Sequence, residues 1–192
     1  MILSKKRDPV SEFKKNAESI SAIVSQIGDL SEIPSYIGDI INKVPGRTGE
    51  INIAVSQLNK PEIKKLHKIS TGLTRIRVIE ERLADFDNKI DIGITYADYG
   101  ISETGTLVVD SRNNDIRLAS MIVDTHVVIL PVSKIKMTMD ELIPELNNML
   151  NKESSYLSFI TGASRTADIE RVLILGVHGP LELHILLLDD LS

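Results

Sequence analysis

The chain has 192 residues, no cysteine, and a formal net charge of −5 from 22 basic and 27 acidic side chains. The lack of thiols excludes disulfides, zinc–thiolate sites and iron–sulfur clusters carried by this chain itself, and the acidic balance argues against a general nucleic-acid binder. With 42% hydrophobic and 26% charged residues there is ample material for a core, which must rest on Ile, Leu and Val because aromatics make up 4% and tryptophan is absent.

The basic start, Lys5-Lys6-Arg7, is broken at once by Asp8-Pro9 and reads as a solvated end, without a basic stretch leading into an apolar one. Val10, Phe13, Ala17, Ile20, Val24 and Ile27 follow in steps of three and four, which predicts one helix over 10–27 with Gly28-Asp29 as its stop. A second helix is expected over 34–44, with Ile37, Ile40, Ile41 and Val44 on one side. Pro45-Gly46-Arg47-Thr48-Gly49 interrupts the pattern, so residues 1–47 are expected to form an N-terminal helical arm and 48–192 the core domain.

Beyond that hinge Ile51-Asn52-Ile53-Ala54-Val55 alternates as a strand does, and a short helix is expected over 62–69 behind Pro61. Ile76, Ile79, Leu83 and Phe86 then predict a helix over 75–86. Strands are expected at 91–95, 106–109 and 126–130, a helix at 140–150 with Pro144 inside it, and strands at 156–160, 172–177 and 183–188. Strands separated by helices predict an α/β fold with a mixed, largely parallel sheet flanked by helices. In such sheets ligands gather beyond the carboxyl ends of strands, where the loops after Thr95, Ile160 and Val177 are expected to converge. The longest apolar runs are strand-sized, so no membrane span is expected and the protein is expected in the cytoplasm.

Chemistry concentrates in Thr161-Gly162-Ala163-Ser164-Arg165-Thr166-Ala167-Asp168-Ile169-Glu170 and in Gly176-Val177-His178-Gly179-Pro180. Gly162 frees the backbone to turn, and Ser164 and Thr166 are candidate N-caps of a short helical turn carrying Asp168 and Glu170. Unpaired N–H groups at such a helix start, with the Arg165 fork, suit a phosphate or carboxylate. The alternative is a capped connection in which Arg165 pairs with Asp168 or Glu170. His178, beside Gly179, could project into a cleft and titrate near neutrality, or bond to turn backbone. In Glu103-Thr104-Gly105-Thr106 a carboxylate beside a glycine turn could act as base or nucleophile. Alternatively Glu103 pairs with Arg117 or caps a neighbouring turn while Thr104 and Thr106 satisfy backbone groups. His126 and His184 lie in strands and read as strand-end or sheet-face histidines. With no HxxxH or HExxH spacing, no metal site is expected, and no GxGxxG, GxxxxGK[ST] or GxSxG occurs.

Taken together, Ala97-Asp98-Tyr99-Gly100-Ile101-Ser102-Glu103-Thr104-Gly105-Thr106-Leu107-Val108 and the TGASRTADIE block with its GVHGPLELHILLL continuation resemble the LUD domain, the family of lactate-utilisation protein C. Arg117-Leu118-Ala119-Ser120 and His126-Val127-Val128-Ile129-Leu130 fit the spacing between them. The resemblance covers roughly the last half of the chain and departs at Ala163, where the family commonly has Pro. It implies a fold similar to that of sugar-phosphate isomerases and CoA transferases, and a role supporting oxidation of lactate or a similar small 2-hydroxy acid. Related subunits combine a LUD domain with ferredoxin-like cysteine motifs, so this chain is expected to work with iron–sulfur partner subunits. The expected ligand is a small anionic metabolite, with Glu103 and His178 as catalytic candidates and Thr104, Gly105, Thr106, Gly162, Ser164, Arg165, Thr166, Asp168 and Gly179 as binding candidates; no cofactor is identified. Two other roles stay open. One is a stand-alone enzyme acting on a phosphorylated or CoA-linked carboxylic substrate with Glu103 as base or nucleophile; the other is a non-catalytic binding or assembly module.

Overall fold

Asp8 starts the first helix, α1 (Pro9–Ser19), by accepting from the amides of Val10 and Ser11, with Pro9 in the first turn. A computed structural model describes residues 8–43, 49–56, 58, 60–68, 74–79, 82–151, 156–169, 172–175 and 179–189. Helix α1 ends well before Ile27: Ser21 takes a left-handed backbone, φ 68°, and the chain continues as strand β1 (Ala22–Ile27). The expected helix over 10–27 is therefore helix and then strand. Val24 and Ile27 satisfy a helical step, but Ala22 and Val24 are buried while Ile23 between them is exposed, so the two-residue alternation prevails.

Strand β1 pairs in parallel with β12 (Glu182–Leu188), in register from Ala22↔Leu183 to Ile27↔Leu188. With β2 (Gly49–Val55), β3 (Thr74–Ile79), β4 (Ile92–Tyr96) and β7 (Thr125–Pro131) they form a six-stranded sheet, order β1-β12-β7-β4-β2-β3, with every pairing parallel. Strand β3 replaces the first half of the helix expected over 75–86. Arg75 and Arg77 are exposed while Ile76 and Val78 are buried, and Leu83–Asp85 forms only a short 3-10 turn.

Both faces of this sheet are covered, as its near-continuous apolar strands require. On one face α2 (Ile33–Asn42) and α3 (Lys60–Leu66) bring Ile33, Ile37, Ile41 and Leu66 against Ile51, Ile53, Ile94 and Ile129. The other face takes α1, α4 (Asn114–Met121) and a second sheet of four strands, ordered β8-β5-β6-β9. These are β5 (Tyr99–Ile101), β6 (Thr106–Asp110), β8 (Ile135–Lys136) and β9 (Leu157–Ile160). Leu107, Val109 and Ile135 of that sheet pack towards Val128 and Leu130, and α5 (Met139–Leu150) lies on its outer side through Leu142 against Ile101 and Val108. The α/β class with a largely parallel sheet flanked by helices is as expected; β5, β8 and α4 are too short to have been seen as periodic segments.

The segment after Ser164 is not a helical turn. Residues Arg165–Ile169 form β10, which pairs antiparallel with β11 (Val172–Leu175). The apolar strand that follows gives its backbone groups a ladder, and that overrides the capping potential of Ser164 and Thr166. Nor do the three expected loops follow parallel neighbours: β9 is antiparallel to β6 in the second sheet and β11 belongs to the hairpin. Among the described residues no helix is long and apolar enough to cross a membrane.

Candidate functional site

The β5–β6 turn carries Glu103 and Thr104, both exposed. The Glu103 carboxylate accepts from the Met139 amide at 2.8 Å, and its own amide donates to Met137 O at 3.1 Å, so it sits at the start of α5. A carboxylate there complements the helix dipole. Arg117, the other partner considered for Glu103, instead holds its guanidinium 5.2 Å from the Tyr156 ring.

The rest of that turn is fitted to α1. Ser102 donates its hydroxyl to Pro9 O, and Asn16 Nδ2 donates to Ser102 O, each at 2.7 Å. Gly105 has φ 64°, and a Cβ on it would stand 2.7 Å from Ala17 Cα. Thr106 is buried and shares a 2.8 Å hydrogen bond with the Thr161 hydroxyl. Gly162, φ 77°, would place a Cβ 2.5 Å from Ile20 O. Gly105, Thr106 and Gly162 thus meet around the last turn of α1. A second contact joins the ends of the hairpin region: the Ser164 amide donates to Pro180 O at 3.1 Å, and Gly179 lies against the Ser164 side chain. The backbones of Arg165 and Thr166 pair with Leu175 and Ile174, and Asp168 falls where the register shifts between Thr166 and Ile169. The side chains of Arg165, Thr166 and Asp168, and the whole of His178, lie outside the described residues.

Two histidines are set into the main sheet. His126 is 1% exposed and bonds through Nε2 to the Thr95 hydroxyl at 2.8 Å; burial pushes its pKa down to about 3, so the ring is neutral. His184 is bonded on both ring nitrogens, Nε2 to Glu182 at 3.0 Å and Nδ1 to the Tyr36 hydroxyl at 2.8 Å. If Nε2 carries the proton towards the carboxylate, Nδ1 accepts from the phenol, which ties α2 to β12. Burial lowers the His184 pKa and the Glu182 contact opposes that shift. Among the described residues no group of potential metal ligands comes together.

A cleft of about 360 Å³ opens at the carboxyl ends of β4 and β7, lined by Tyr96, Ala97, Asp98, Tyr99, Pro131 and Lys134. It adjoins the place where the chain reverses direction across the sheet, since β2 leads outward to β3 whereas β4 leads the other way to β7 and then β12. Crevices at such reversals are where open α/β sheets take ligands. Burial, then the charge of Glu62, raises the Tyr96 pKa above its usual 10.0, which keeps the phenol a neutral donor. The Lys134 ammonium lies 5.6 Å from the centre of the Tyr99 ring. Asp98 accepts from the Asp110 amide at 2.7 Å, and Asp110 is paired with Arg112 at 2.7 Å. One cation, one carboxylate and one neutral phenol are suited to a small polar ligand. Asp98 and Tyr99 belong to the block that carries Glu103, but their place beside Pro131 and Lys134 depends on strand order, which local sequence does not express.

The family model described as LUD domain matches residues 10–188. Proteins named lactate utilization protein C are similar to this chain: that of Halalkalibacterium halodurans is 36% identical over 113 residues, covering 57% of this chain and 49% of the relative. Those of Macrococcus caseolyticus, 31% identical over 105 residues, and a Geobacillus species, 33% over 109, cover 53% and 55% of this chain and 46% and 45% of the relatives. The chain spans about half the length of the curated relatives it matches. In three dimensions it resembles the crystal structure of a DUF162 family protein from Deinococcus radiodurans, with a TM-score of 0.64 at 20% identity over 94% of this chain and 96% of that one. That likeness is one of fold. From residue 10 to residue 188, the chain belongs to the LUD domain family.

Proposed function

We propose that the protein supports utilization of lactate, through oxidation of lactate or a similar small 2-hydroxy acid, together with iron–sulfur partner subunits, and that it binds a small anionic ligand. The observation that carries this reading is the family match over residues 10–188, joined to relatives that bear the name lactate utilization protein C. Oxidation of a 2-hydroxy acid releases two electrons, and a chain without cysteine has no thiolates to hold a cluster that would accept them. The electron path is therefore assigned to other subunits. Arg165 is the proposed anion contact near the hairpin; the Ser164 amide already donates to Pro180, so the Arg165 fork and the Ser164 and Thr166 hydroxyls are the donors proposed there.

The test is genetic and biochemical together. Deleting the gene is expected to abolish growth on lactate as sole carbon source while growth on glucose continues, and the tagged protein is expected to co-purify with cysteine-rich subunits that absorb as iron–sulfur proteins do. Undiminished growth on lactate would overturn the lactate role. A growth defect without such partners would overturn only the partner assignment.

A further inference from the structure

We infer that the edge of β9, with the apolar flank of α5 beside it, is a docking surface for a second copy of this chain, joined across a two-fold axis at Ser158 so that the two second sheets become one. Strand β9 is the outer strand of its sheet, and among the described residues it pairs only with β6. The Ser111 amide donates to Tyr156 O at 2.8 Å, and Val108 O accepts from the Asp98 amide on the β5 side. Bonding alternates along an antiparallel pair, so Ser158 and Ile160 point their backbone groups at Val109 and Leu107, whereas Leu157 and Phe159 turn theirs to the open side. A two-fold axis at Ser158 sets Leu157 opposite Phe159 of the second copy, and these are the residues whose N–H and C=O groups face outwards. An axis between two residues would oppose an outward-pointing residue to an inward-pointing one and lose the bonds.

The side chains fit the same axis. Leu157 and Phe159 share the face of Val108, on which α5 packs through Leu142. Glu145 of α5 pairs with Lys136 of β8 at 3.1 Å, which turns that flank of the helix towards the far edge of the sheet. Met139, Ile143 and Leu150, spaced by four and seven, share the flank on the other side of Leu142, towards β9. They are 38%, 46% and 52% exposed, and Phe159 is 47% exposed. An apolar patch on the order of a few hundred Å² marks an interaction site on a soluble protein. Charge selects the occupant. A two-fold axis brings each group near its own copy, so a surface carrying one sign of charge resists burial this way, whereas the flank and edge residues here carry none. Tyr156 to Thr161 contains no charge and no proline, although unpaired edges are ordinarily guarded by such residues. By contrast the edge β3 exposes Arg75 and Arg77, and β8 is two residues long and ends in Lys136. Strand β1 is the other uncharged edge, but Ile23 is its one exposed large apolar side chain. With the strand edge added, the contact lies near the lower end of specific interfaces, about 600 Å² on each copy, so a micromolar dimer is expected.

The experiment is sedimentation of the full chain from low to high micromolar concentration, repeated on Ile143→Lys, Phe159→Pro and Ile23→Lys, with melting temperatures to establish folding. The parent chain is expected to pass from monomer to dimer across this range. Ile143→Lys sets like charges beside the axis, and Phe159→Pro removes an outward donor without touching the β6 ladder. Each is expected to raise the dimer dissociation constant by about tenfold or more, whereas Ile23→Lys, on the other edge, should leave it unchanged. Because the chain has no cysteine, Ser158→Cys supplies a single thiol, and facing residues at the axis stand about 4.5 Å apart at Cα, within reach of a disulfide. Oxidation of Ser158→Cys is expected to give a covalent dimer, and oxidation of Ile23→Cys to give none. Should Phe159→Pro fail to fold, Ile143→Lys, at an exposed helix position, decides alone. A monomer at every concentration, a dimer undisturbed by Ile143→Lys, loss of the dimer in Ile23→Lys, or a dimer that Ser158→Cys does not cross-link would overturn the inference.

Discussion

The hydroxyls of Thr106 and Thr161 lie 2.8 Å apart although 55 residues separate them in sequence. The bond continues the β6–β9 ladder, in which Leu107 faces Ile160, and it joins the two segments that carry the family resemblance. Immediately beside it Gly105 and Gly162, both at positive φ, press on Ala17 and Ile20 at the end of α1. The glycines of these segments thus do structural work: they let two turns approach one helix end more closely than any Cβ allows.

Gly162→Ala is expected to cost at least about 2 kcal/mol of stability, combining left-handed strain of about 1–2 kcal/mol with displacement of the Ile20 backbone. Gly105→Ala should cost a similar amount through Ala17. Gly28 has no positive φ and faces only the flexible end of Glu32, so Gly28→Ala should change stability by less than about 0.5 kcal/mol. Urea unfolding of the three variants checks this, and equal midpoints would remove the close-approach explanation.

Acid should weaken the fold through His126. Its pKa is depressed from 6.5 to about 3 by burial, so the unfolded chain takes up a proton that the folded chain refuses. Stability is then fully present above pH 6.5 and falls as the pH drops towards about 3, at a limiting slope of about 1.4 kcal/mol per pH unit. His184, shifted in the same direction, adds to the loss. His126→Gln should be less stable at neutral pH but show a flatter decline on acidification, measured by urea midpoints across that window. A slope identical to that of the parent chain would show that this ring does not carry the effect.

The two-sided burial of the main sheet made β4, β7 and β12 readable, because Val127, Val128, Ile129 and Leu130 form an uninterrupted apolar run. Strands β1 and β3 were obscured where Ile20, Val24 and Ile27, or Ile76, Ile79 and Leu83, satisfied a helical step by coincidence over a short stretch. The Ser102–Gly105 turn was legible from composition, whereas the direction of Glu103 towards Met139 depends on β8, only two residues long. The cleft could not be seen at all from local pattern. It arises from β4 lying between β7 and β2, a long-range fact set by crossover connections.

Removing the first 47 residues should be far more damaging than loss of a peripheral arm. That segment includes Phe13 and Ala17, both fully buried, and the edge strand β1, whose absence would bare the side of β12 from Leu183 to Leu188. A chain starting at Thr48 is expected to be insoluble or to lack a cooperative melting transition, because an unpaired apolar strand edge invites association. A soluble product that melts cooperatively would establish residues 1–47 as separable.

Arg165 provides the complementary prediction near the hairpin. If its guanidinium makes an anion contact there, Arg165→Ala should abolish the thermal stabilisation produced by ligands that bind at the hairpin while leaving the unliganded melting temperature nearly unchanged. Loss of an exposed ion pair costs about 0–1 kcal/mol, whereas loss of a charge-assisted ligand bond costs about 1.5–3 kcal/mol. Arg165→Lys keeps the charge but loses the planar fork, so it should recover only part of the response. Should Arg165 instead pair with Asp168 or Glu170, the order reverses: the unliganded protein melts earlier and the ligand response survives. A thermal-shift panel of phosphate, sugar phosphates, CoA esters and lactate on the parent chain and both variants separates these outcomes, and an undiminished response in Arg165→Ala rules out the anion contact.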